Sequence, residues 1–536
     1  MNLSDATTIR MRCPLGDAAF RVRNQCDYWG CEYWSRRRVP DDVYPMTSTN
    51  VNIVLVSNRG PVSFLETDDG GFETKRGAGG LAGALDPVAR RLGDRAVWIA
   101  AATSNVDRAA LRAGAVDELR DRLGYPVKLI DIDEHVYDLY YNDVSNRMLW
   151  FANHCLWDEL GIDRFGEDAL EAWNEGYEPV NEMFARKIIE TSAPDALVLF
   201  QDYHLATAPG HLRRLGDRHT ISHFTHSSFC GPEGLDRCPA PVPRSIIEGM
   251  LGADLLGFHI PAWCEAFFRC CERIEAVVDR VAGTVRFAGR RTWVRPYPIP
   301  IDAPELQEQA LGGEASAWAK RFRETAGGPL IVRADRAELS KNVVRGFEAF
   351  GRLLDRRPDL RGEVHFLACL YPSRQSMPEY RDYMERIRRS TDEVNARHPD
   401  SIRLFLKDDY NRTLGALRVY DVLFVNSIMD GMNLVSKEGP AVNEQGGALI
   451  LSRGAGSFAE LGDHAVIIDD PYDVDETAAA IEAALEMPAE ERERHARALR
   501  EIVEKSRPQD WIQAQLDDLE AISRGGEPKT PASPSN

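Results

Sequence analysis

The chain has 536 residues, 43% hydrophobic and 28% charged, an ordinary soluble composition at a length that calls for two cores of about 200 to 250 residues each. A formal net charge of −19 excludes a general nucleic-acid or anionic-membrane binder, because such a surface repels phosphate everywhere but in a local basic pocket. No stretch reaches the roughly 20 apolar residues of a membrane span, and the ten cysteines, without Cys-x-x-Cys spacing, read as reduced thiols of a cytoplasmic protein.

Residues 1–50 carry Arg36-Arg37-Arg38 and several aromatics, but neither the apolar core of a signal peptide nor the acid-poor composition of a transit peptide. With Met46 just ahead of the first convincing strand, they read as a disordered or mis-started extension. From 51 to 300, strand candidates at 51–56, 96–101, 196–200, 220–225 and 255–258 alternate with helical patterns, as a parallel sheet requires. The Pro-rich run 295–301 reads as a crossing between domains, since Pro suits extended linkers and not interior strands. A second series follows within 301–490, at 330–333, 364–369, 402–405, 422–425 and 449–452. Helical residues 491–523 come next, and the Gly/Pro/Ser-rich end, 524–536, reads as a disordered tail.

Chemistry concentrates at two strand-to-loop junctions of the second series. The apolar run 422–425 leads into Asp430-Gly431-Met432-Asn433-Leu434-Val435-Ser436-Lys437-Glu438, a strand, a Gly turn and a helix start with a carboxylate on either side. Such a junction aims several backbone N–H groups at one place and suits an anionic or hydroxyl-rich ligand. Arg336 and Lys341 follow the strand at 330–333, and two fixed cations beside a helix N-terminus suit a diphosphate leaving group. Each feature also has a plainer reading. An Arg-Lys pair is ordinarily a solvated surface pair, an acid such as Glu438 in a first helical turn answers the helix dipole, and a lone His226 is ordinarily structural. No His-Glu-x-x-His motif occurs, and no metal site is expected.

These residues fall in order with others: Ser57-Asn58-Arg59, Gly79-Gly80-Leu81, Tyr141-Asn142 with Ser145-Asn146 and Trp150, Gln201-Asp202-Tyr203-His204-Leu205, His226, Gly252-Ala253-Asp254-Leu255, Pro372-Ser373-Arg374 and Asp470-Pro471-Tyr472-Asp473. From 51 to 522 the chain resembles the retaining glycosyltransferases of family 20, the trehalose-6-phosphate synthases. Residues 336–345 and 371–375 are most similar to the actinobacterial branch, which favours GDP-glucose. The resemblance implies an α/β GT-B glycosyltransferase, two doubly wound Rossmann-like domains facing a cleft: 51–300 for the acceptor, 301–490 for the nucleotide-sugar, and helices at 491–523 crossing back to the first domain.

It also implies the substrates, a nucleotide-glucose and glucose 6-phosphate, with no cofactor and no metal, nucleic acid or membrane partner; the oligomeric state, a homo-oligomer included, stays open. In the family pattern Arg336 and Lys341 neutralise the donor diphosphate, and His226 touches the donor sugar. Asp430 holds a glucose hydroxyl, the backbone of Met432, Asn433, Leu434 and Val435 contacts sugar and phosphate, Glu438 binds the ribose, and Gly79-Gly80 admits the donor phosphates. Arg59, Tyr141, Trp150, Asp202 and Arg374 fall to the acceptor; outside the family pattern, core packing would explain the two aromatics. Asp408 and Asp409 lie in the stretch near the nucleotide base. One carboxylate there accepts both guanine donors, N1–H and the amino group; an equally weighted reading makes the pair a cap for the helix beginning near Arg412.

The sequence departs from the family at Ser227-Ser228-Phe229-Cys230, where relatives carry Ile/Thr-Pro-Phe/Trp-Pro, and at Met429, where many carry Arg. Two rivals to synthase activity are a pseudo-glycosyltransferase or other-acceptor transferase of the same fold, and a non-catalytic sugar-phosphate sensor. Met432, which is Gln in the pseudo-glycosyltransferase, speaks against the first; Arg336, Lys341 and Glu438 together speak against the second.

Overall fold

The computed structural model describes residues 52–76, 80–216 and 218–531. Among them, one nine-stranded sheet has the order Val127–Ile130, Ala96–Ala101, Ile53–Val56, Leu197–Gln201, Thr220–Phe224, Leu255–Phe258, Arg290–Pro296, Thr284–Phe287 and Val277–Asp279. The first seven strands are parallel and the last two pair antiparallel. Ile53–Val56 and Ala96–Ala101 are buried at every position, as apolar strands covered by helices on both faces must be. A parallel six-stranded sheet follows, ordered Ile402–Leu406, His365–Tyr371, Leu330–Arg336, Val422–Val425, Ala448–Ser452 and Val466–Ile468.

Both sheets are doubly wound. In the first, the chain runs from Ile53–Val56 to one edge and then returns to Leu197–Gln201; in the second it reverses between Leu330–Arg336 and Val422–Val425. Beyond the carboxyl ends of the strands at such a reversal lies a crevice in which open α/β sheets take ligands. Arg59 and Asp202 flank the first crevice, Arg336 and Asp430 the second. This is the GT-B arrangement.

Every strand expected from an apolar run is present. Of the missed strands, Val62–Glu66 and Phe72–Arg76 are short and mostly exposed or half-buried, so no apolar run marked them. Three boundaries differ from the sequence expectation. The Pro-rich run starts inside the sheet, because Arg290–Pro296 pairs with Leu255–Phe258 and ends with Pro296 opposite Phe258; Pro is tolerated there as the strand's last residue. Of the helices expected to cross back from 491 onward, Ala489–Val503 stays on the second domain, with Leu499 and Val503 in that domain's core. Only Pro508–Ser523 returns: Trp511 lies edge-on to Phe224 at 5.0 Å and donates from Nε1 to the Tyr297 carbonyl at 3.0 Å.

The tail, expected to be disordered, is held as far as Thr530. The amides of Lys529 and Thr530 donate to the buried Asp518 carboxylate at 2.6 and 3.2 Å, and Arg295 Nε donates to the Thr530 carbonyl at 2.7 Å. Composition does not register a buried acid eleven residues upstream, which also accepts from Tyr297 OH at 2.8 Å. Residues 1–50, Gly79 and residues 532–536 lie outside the described residues. Among those described, no helix is long and apolar enough to cross a membrane.

Candidate active site

Arg59 leaves the end of Ile53–Val56 on a pinned loop. Trp98 Nε1 donates to Ser57 Oγ at 2.8 Å, and that hydroxyl donates onward to the Arg59 carbonyl at 2.6 Å. The exposed Arg59 guanidinium donates to Tyr141 OH at 2.9 Å, and Tyr141 stacks between Tyr137 and His204 at 5.4 and 5.8 Å. Tyr141 sits in a π-helical stretch, Leu139–Leu149, that ends just before Trp150. Its i→i+5 hydrogen bonds take about one residue more per turn than an α-helix, so positions nine apart fall two turns apart on one face. At 3.6 residues per turn they would face opposite ways. Tyr141 and Trp150 are thus brought together by a helix type that no local sequence pattern marks, aided by Gly176, where a Cβ would stand 2.6 Å from Leu139 Cβ.

Asp202 follows Leu197–Gln201 in a left-handed conformation, φ 74°. Its Oδ1 accepts the amides of His226 and Ser227 at 3.1 and 3.4 Å. Burial raises its pKa to about 6 despite these donors. His226 Nε2 meets Gln201 Oε1 at 2.9 Å. Burial, reinforced by His259, His223 and His204, holds His226 far below the usual imidazole range, so it is neutral at neutral pH and can share hydrogen bonds without adding charge.

On the other wall two buried chains of alternating charge meet the cleft. In one, Arg333 Nε donates to Asp335 at 2.9 Å, Asp335 lies 3.7 Å from Lys341 Nζ, and Lys341 donates to Asp430 Oδ2 at 2.5 Å. Asn433 Nδ2 adds a third-party donor to Asp430 at 3.1 Å. Burial opposes ionisation of both groups in the last pair, yet their mutual attraction prevails, lowering the Asp430 pKa and raising that of Lys341. In the second chain, Glu338 lies 3.1 Å from Arg336 and 3.8 Å from Arg374.

The Asp430 turn approaches the first domain closely. A Cβ on Gly431 would stand 2.0 Å from the His226 carbonyl oxygen, so only glycine fits. Trp263 Nε1 donates to the Gly431 carbonyl at 3.1 Å, and Met432 is buried in an apolar cluster with Phe224, Tyr297 and Trp511. Past the turn, Asn433 takes φ 72° and Val435–Val442 begins. The amides of Met432, Asn433, Leu434 and Val435 have no acceptor among the described residues, which leaves them free for an anion. The carboxylate of Glu438, in the first turn, also has no hydrogen-bond partner among the described residues, and burial raises its pKa to about 7.

The two walls meet at one ring. The Trp150 indole has the Arg374 guanidinium at 3.9 Å and that of Arg336 at 5.8 Å. The fold therefore gathers Arg59, Tyr141, Trp150, Asp202 and His226 with Arg336, Lys341, Arg374, Asp430, Met432–Val435 and Glu438. Asp409 is the cap of Tyr410–Val419, accepting from the Arg412 amide at 2.9 Å, so the capping role is realised for that residue. Asp408 is exposed and has no hydrogen bond among the described residues. Gly80 opens the helix Gly80–Leu92. Sequence reasoning gave no role to Glu338, Gln201 or Tyr137, although Gln201 stands in the Gln201–Leu205 motif and Glu338 lies two residues past Arg336. Among the described residues no three His, Cys, Asp or Glu side chains are grouped to hold a metal ion.

The pattern of glycosyltransferase family 20 matches residues 51–521. The chain belongs to this family. It is 31% identical over 488 residues to a trehalose-6-phosphate synthase of Mycolicibacterium gilvum, covering 88% of this chain and 94% of that one. It is 32% identical over 435 residues to a validamine 7-phosphate valienyltransferase of Streptomyces hygroscopicus, covering 79% and 85%. A probable UDP-forming α,α-trehalose-phosphate synthase of Arabidopsis thaliana is 29% identical over 88% of this chain, which spans 57% of that protein. Among solved family members, the Burkholderia xenovorans synthase in complex with glucose 6-phosphate superposes with a TM-score of 0.72 at 28% identity, covering 88% of this chain and all of that one. The E. coli protein bound with UDP-2-fluoro glucose gives 0.73 at 26%, covering 87% and 98%.

Proposed function

We propose that the protein is an α,α-trehalose-phosphate synthase, which moves glucose from a nucleotide-glucose to the anomeric hydroxyl of glucose 6-phosphate and releases the nucleoside diphosphate. The observation that carries this reading is the meeting of Arg336 and Arg374 on the Trp150 ring: two phosphate-binding cations, one for each substrate, on either side of the place where sugars would be joined. Family members bound to glucose 6-phosphate and to a UDP-glucose analogue support the same pairing of ligands.

Arg59 and Arg374 hold the acceptor phosphate by bidentate forks, with Tyr141, Trp150 and Asp202 around its sugar. The free amides of Met432–Val435 and the cations Arg336 and Lys341 face the donor diphosphate, where negative charge builds as it departs. Asp430 takes a glucose hydroxyl and Glu438 the ribose diol. The transfer retains configuration without a carboxylate nucleophile, unlike the two-carboxylate hydrolases. The acceptor hydroxyl attacks on the face the diphosphate leaves, and a donor phosphate oxygen takes its proton. Rate then comes from orientation in a closed cleft. For the donor base, Asp408, exposed beyond Ile402–Leu406, supports guanine and hence GDP-glucose over UDP-glucose; UDP-forming relatives make the alternative concrete.

The test is incubation of purified protein with glucose 6-phosphate and each of five nucleotide-glucoses. The product is identified by mass and by trehalase sensitivity after dephosphorylation. No disaccharide phosphate from any donor overturns the reading. The valienyltransferase relative defines the second assay, with a cyclitol nucleotide as donor; the burial of an apolar Met432 against Phe224 and Trp511 favours the glucosyl reading, since an amide there would lack partners.

A further inference from the structure

Resting on the assignment of Arg336 to the donor diphosphate and of Arg374 to the acceptor phosphate, we propose that Glu338 is a positioning residue that fixes these two arginines relative to each other, and thereby the distance between the two bound phosphates. Glu338 is fully buried just past Leu330–Arg336. Its Oε1 lies 3.1 Å from Arg336 Nη1 and 3.8 Å from Arg374 Nη1, and it accepts from Ser373 Oγ at 3.0 Å. One oxygen thus serves two cations that the rest of the site leaves side by side on the Trp150 ring. The second oxygen, Oε2, is buried with no partner among the described residues.

A carboxylate kept only for stability would be a poor choice here. An ion in such surroundings loses its hydration, and an apolar group of the same size is often as stable. The arginines must nevertheless stay charged and close, because each meets an anion of a different substrate. Two guanidinium groups on one ring repel unless an anion lies between them, and Glu338 is that anion. It also acts on the backbone. Arg374 adopts φ 47°, a conformation that side chains rarely take; Ser373, immediately before it, is tied to Glu338, and the Ala337 amide donates to the Tyr371 carbonyl at 2.9 Å. The loop bearing Arg374 is therefore hooked to the loop bearing Glu338 at two points.

Glu338→Gln, which keeps the shape and the Ser373 contact and removes the charge, is the test. KM for glucose 6-phosphate should rise about 10-fold or more, with the preference for glucose 6-phosphate over free glucose shrinking by the same factor, the scale of one lost charge-assisted bond. In the Glu338→Gln background, Arg374→Ala should cost less than it does in the wild type. A purely structural role would lower kcat with the folded fraction and leave both KM values and the additivity of the two substitutions unchanged; that result, or wild-type kinetics, overturns the proposal. Should Glu338→Gln not fold, Ser373→Ala must still raise the acceptor KM with the donor KM unchanged, and its failure to do so overturns the proposal equally. If wild-type protein joins no sugars, the proposed function fails on its own. Calorimetry with pyrophosphate then reads the arginine pair: binding about 10-fold weaker in Glu338→Gln is expected, and equal affinity overturns the positioning role.

Discussion

Lys341→Ala removes an ammonium that pairs with two buried carboxylates and that, on the proposed function, faces the donor diphosphate. The side chain is 11% exposed, 2.5 Å from Asp430 and 3.7 Å from Asp335. Taking one partner from a buried ion pair costs about 3–5 kcal/mol, mostly for the charge left behind. Here Asp335 keeps Arg333 at 2.9 Å and Asp430 keeps Asn433 at 3.1 Å, so the low end, about 3 kcal/mol, is expected. The protein should remain folded, given typical stabilities of about 5–15 kcal/mol. Burial works to raise the Asp430 pKa, but Lys341 and Asn433 outweigh it and hold it below 3.8. A depressed carboxylate contributes stability that is present above its unfolded pKa and lost as pH falls through the folded one. The advantage of wild type over Lys341→Ala should therefore be full near pH 7.5, shrink as acid protonates the unpaired Asp430 of the variant, and be gone only once pH falls through the depressed wild-type value, where Asp430 is protonated in either protein. Turnover should fall about 100- to 1000-fold, the effect of deleting one donor aimed at transition-state charge. Urea unfolding at pH 7.5 and in acid, and steady-state rates on folded protein, measure both effects. A variant as stable as wild type at pH 7.5, or folded with near-normal turnover, refutes the reasoning.

Arg59→Ala and Arg374→Ala should each raise KM for glucose 6-phosphate at least about 10-fold while the calorimetric affinity for donor barely changes; equal loss for both substrates counts against the acceptor pocket. Glu438, raised by burial to about 7, must be ionised to accept two ribose hydroxyls, so kcat/KM for the donor should fall about 10-fold per pH unit below that value. Glu438→Gln should lower kcat/KM and flatten the profile, and a flat wild-type profile contradicts the ribose role. Asp408→Ala should shrink the ratio of kcat/KM for GDP-glucose over UDP-glucose by about 10-fold, with Asp409→Ala acting on the stability of Tyr410–Val419 instead; a wild-type preference for UDP-glucose rules the guanine reading out.

The strands were legible because they follow local rules, and the residues at the crevices because they stand in family motifs just past strand ends. Apolar runs such as 422–425 have one stable use in an alternating chain, and the residues that follow strand ends at a reversal of winding face the ligand side. Arg59, Asp202, Arg336 and Asp430 all hold such positions. What stayed hidden depends on distant partners. Thr530 is held by Asp518 and Arg295, and no composition of the tail encodes that. The π-helical turn that aligns Tyr141 with Trp150 answers to Gly176, in another helix. Glu338 shows only as an acid near two motif cations until the fold brings Ser373 and Arg374 to it.

The departures at 227–230 and 429 acquire a physical sense from the same contacts. The backbone at His226 is set by Asp202, which accepts the amides of residues 226 and 227, and by Gly431, which lies against the His226 carbonyl. The side chains that follow point elsewhere: Ser228 Oγ donates to the Asn153 carbonyl at 2.7 Å and Phe229 packs on Phe258 at 5.4 Å. Met429 meets Cys155 sulfur to sulfur at 3.8 Å. The loop can therefore change those residues without moving His226. Four residues at the cleft have a positive φ, between 47° and 74°: Asp202, Asn342, Arg374 and Asn433. Each such residue costs of order 1–3 kcal/mol unless its side chain suits the conformation. Asn does suit it, because a short polar side chain can bond its own neighbourhood, as Asn433 Oδ1 does with the Ser436 amide at 3.0 Å; Asp202, at ψ 163°, lies outside that well and is held by the amides its carboxylate accepts from residues 226 and 227. Arg374 has no such relief. Its conformation is held from outside, by Tyr380 OH at 2.6 Å, by the Trp150 ring and by Glu338, so its geometry answers directly to the neighbours that, on the proposed function, bring the two substrate phosphates into register.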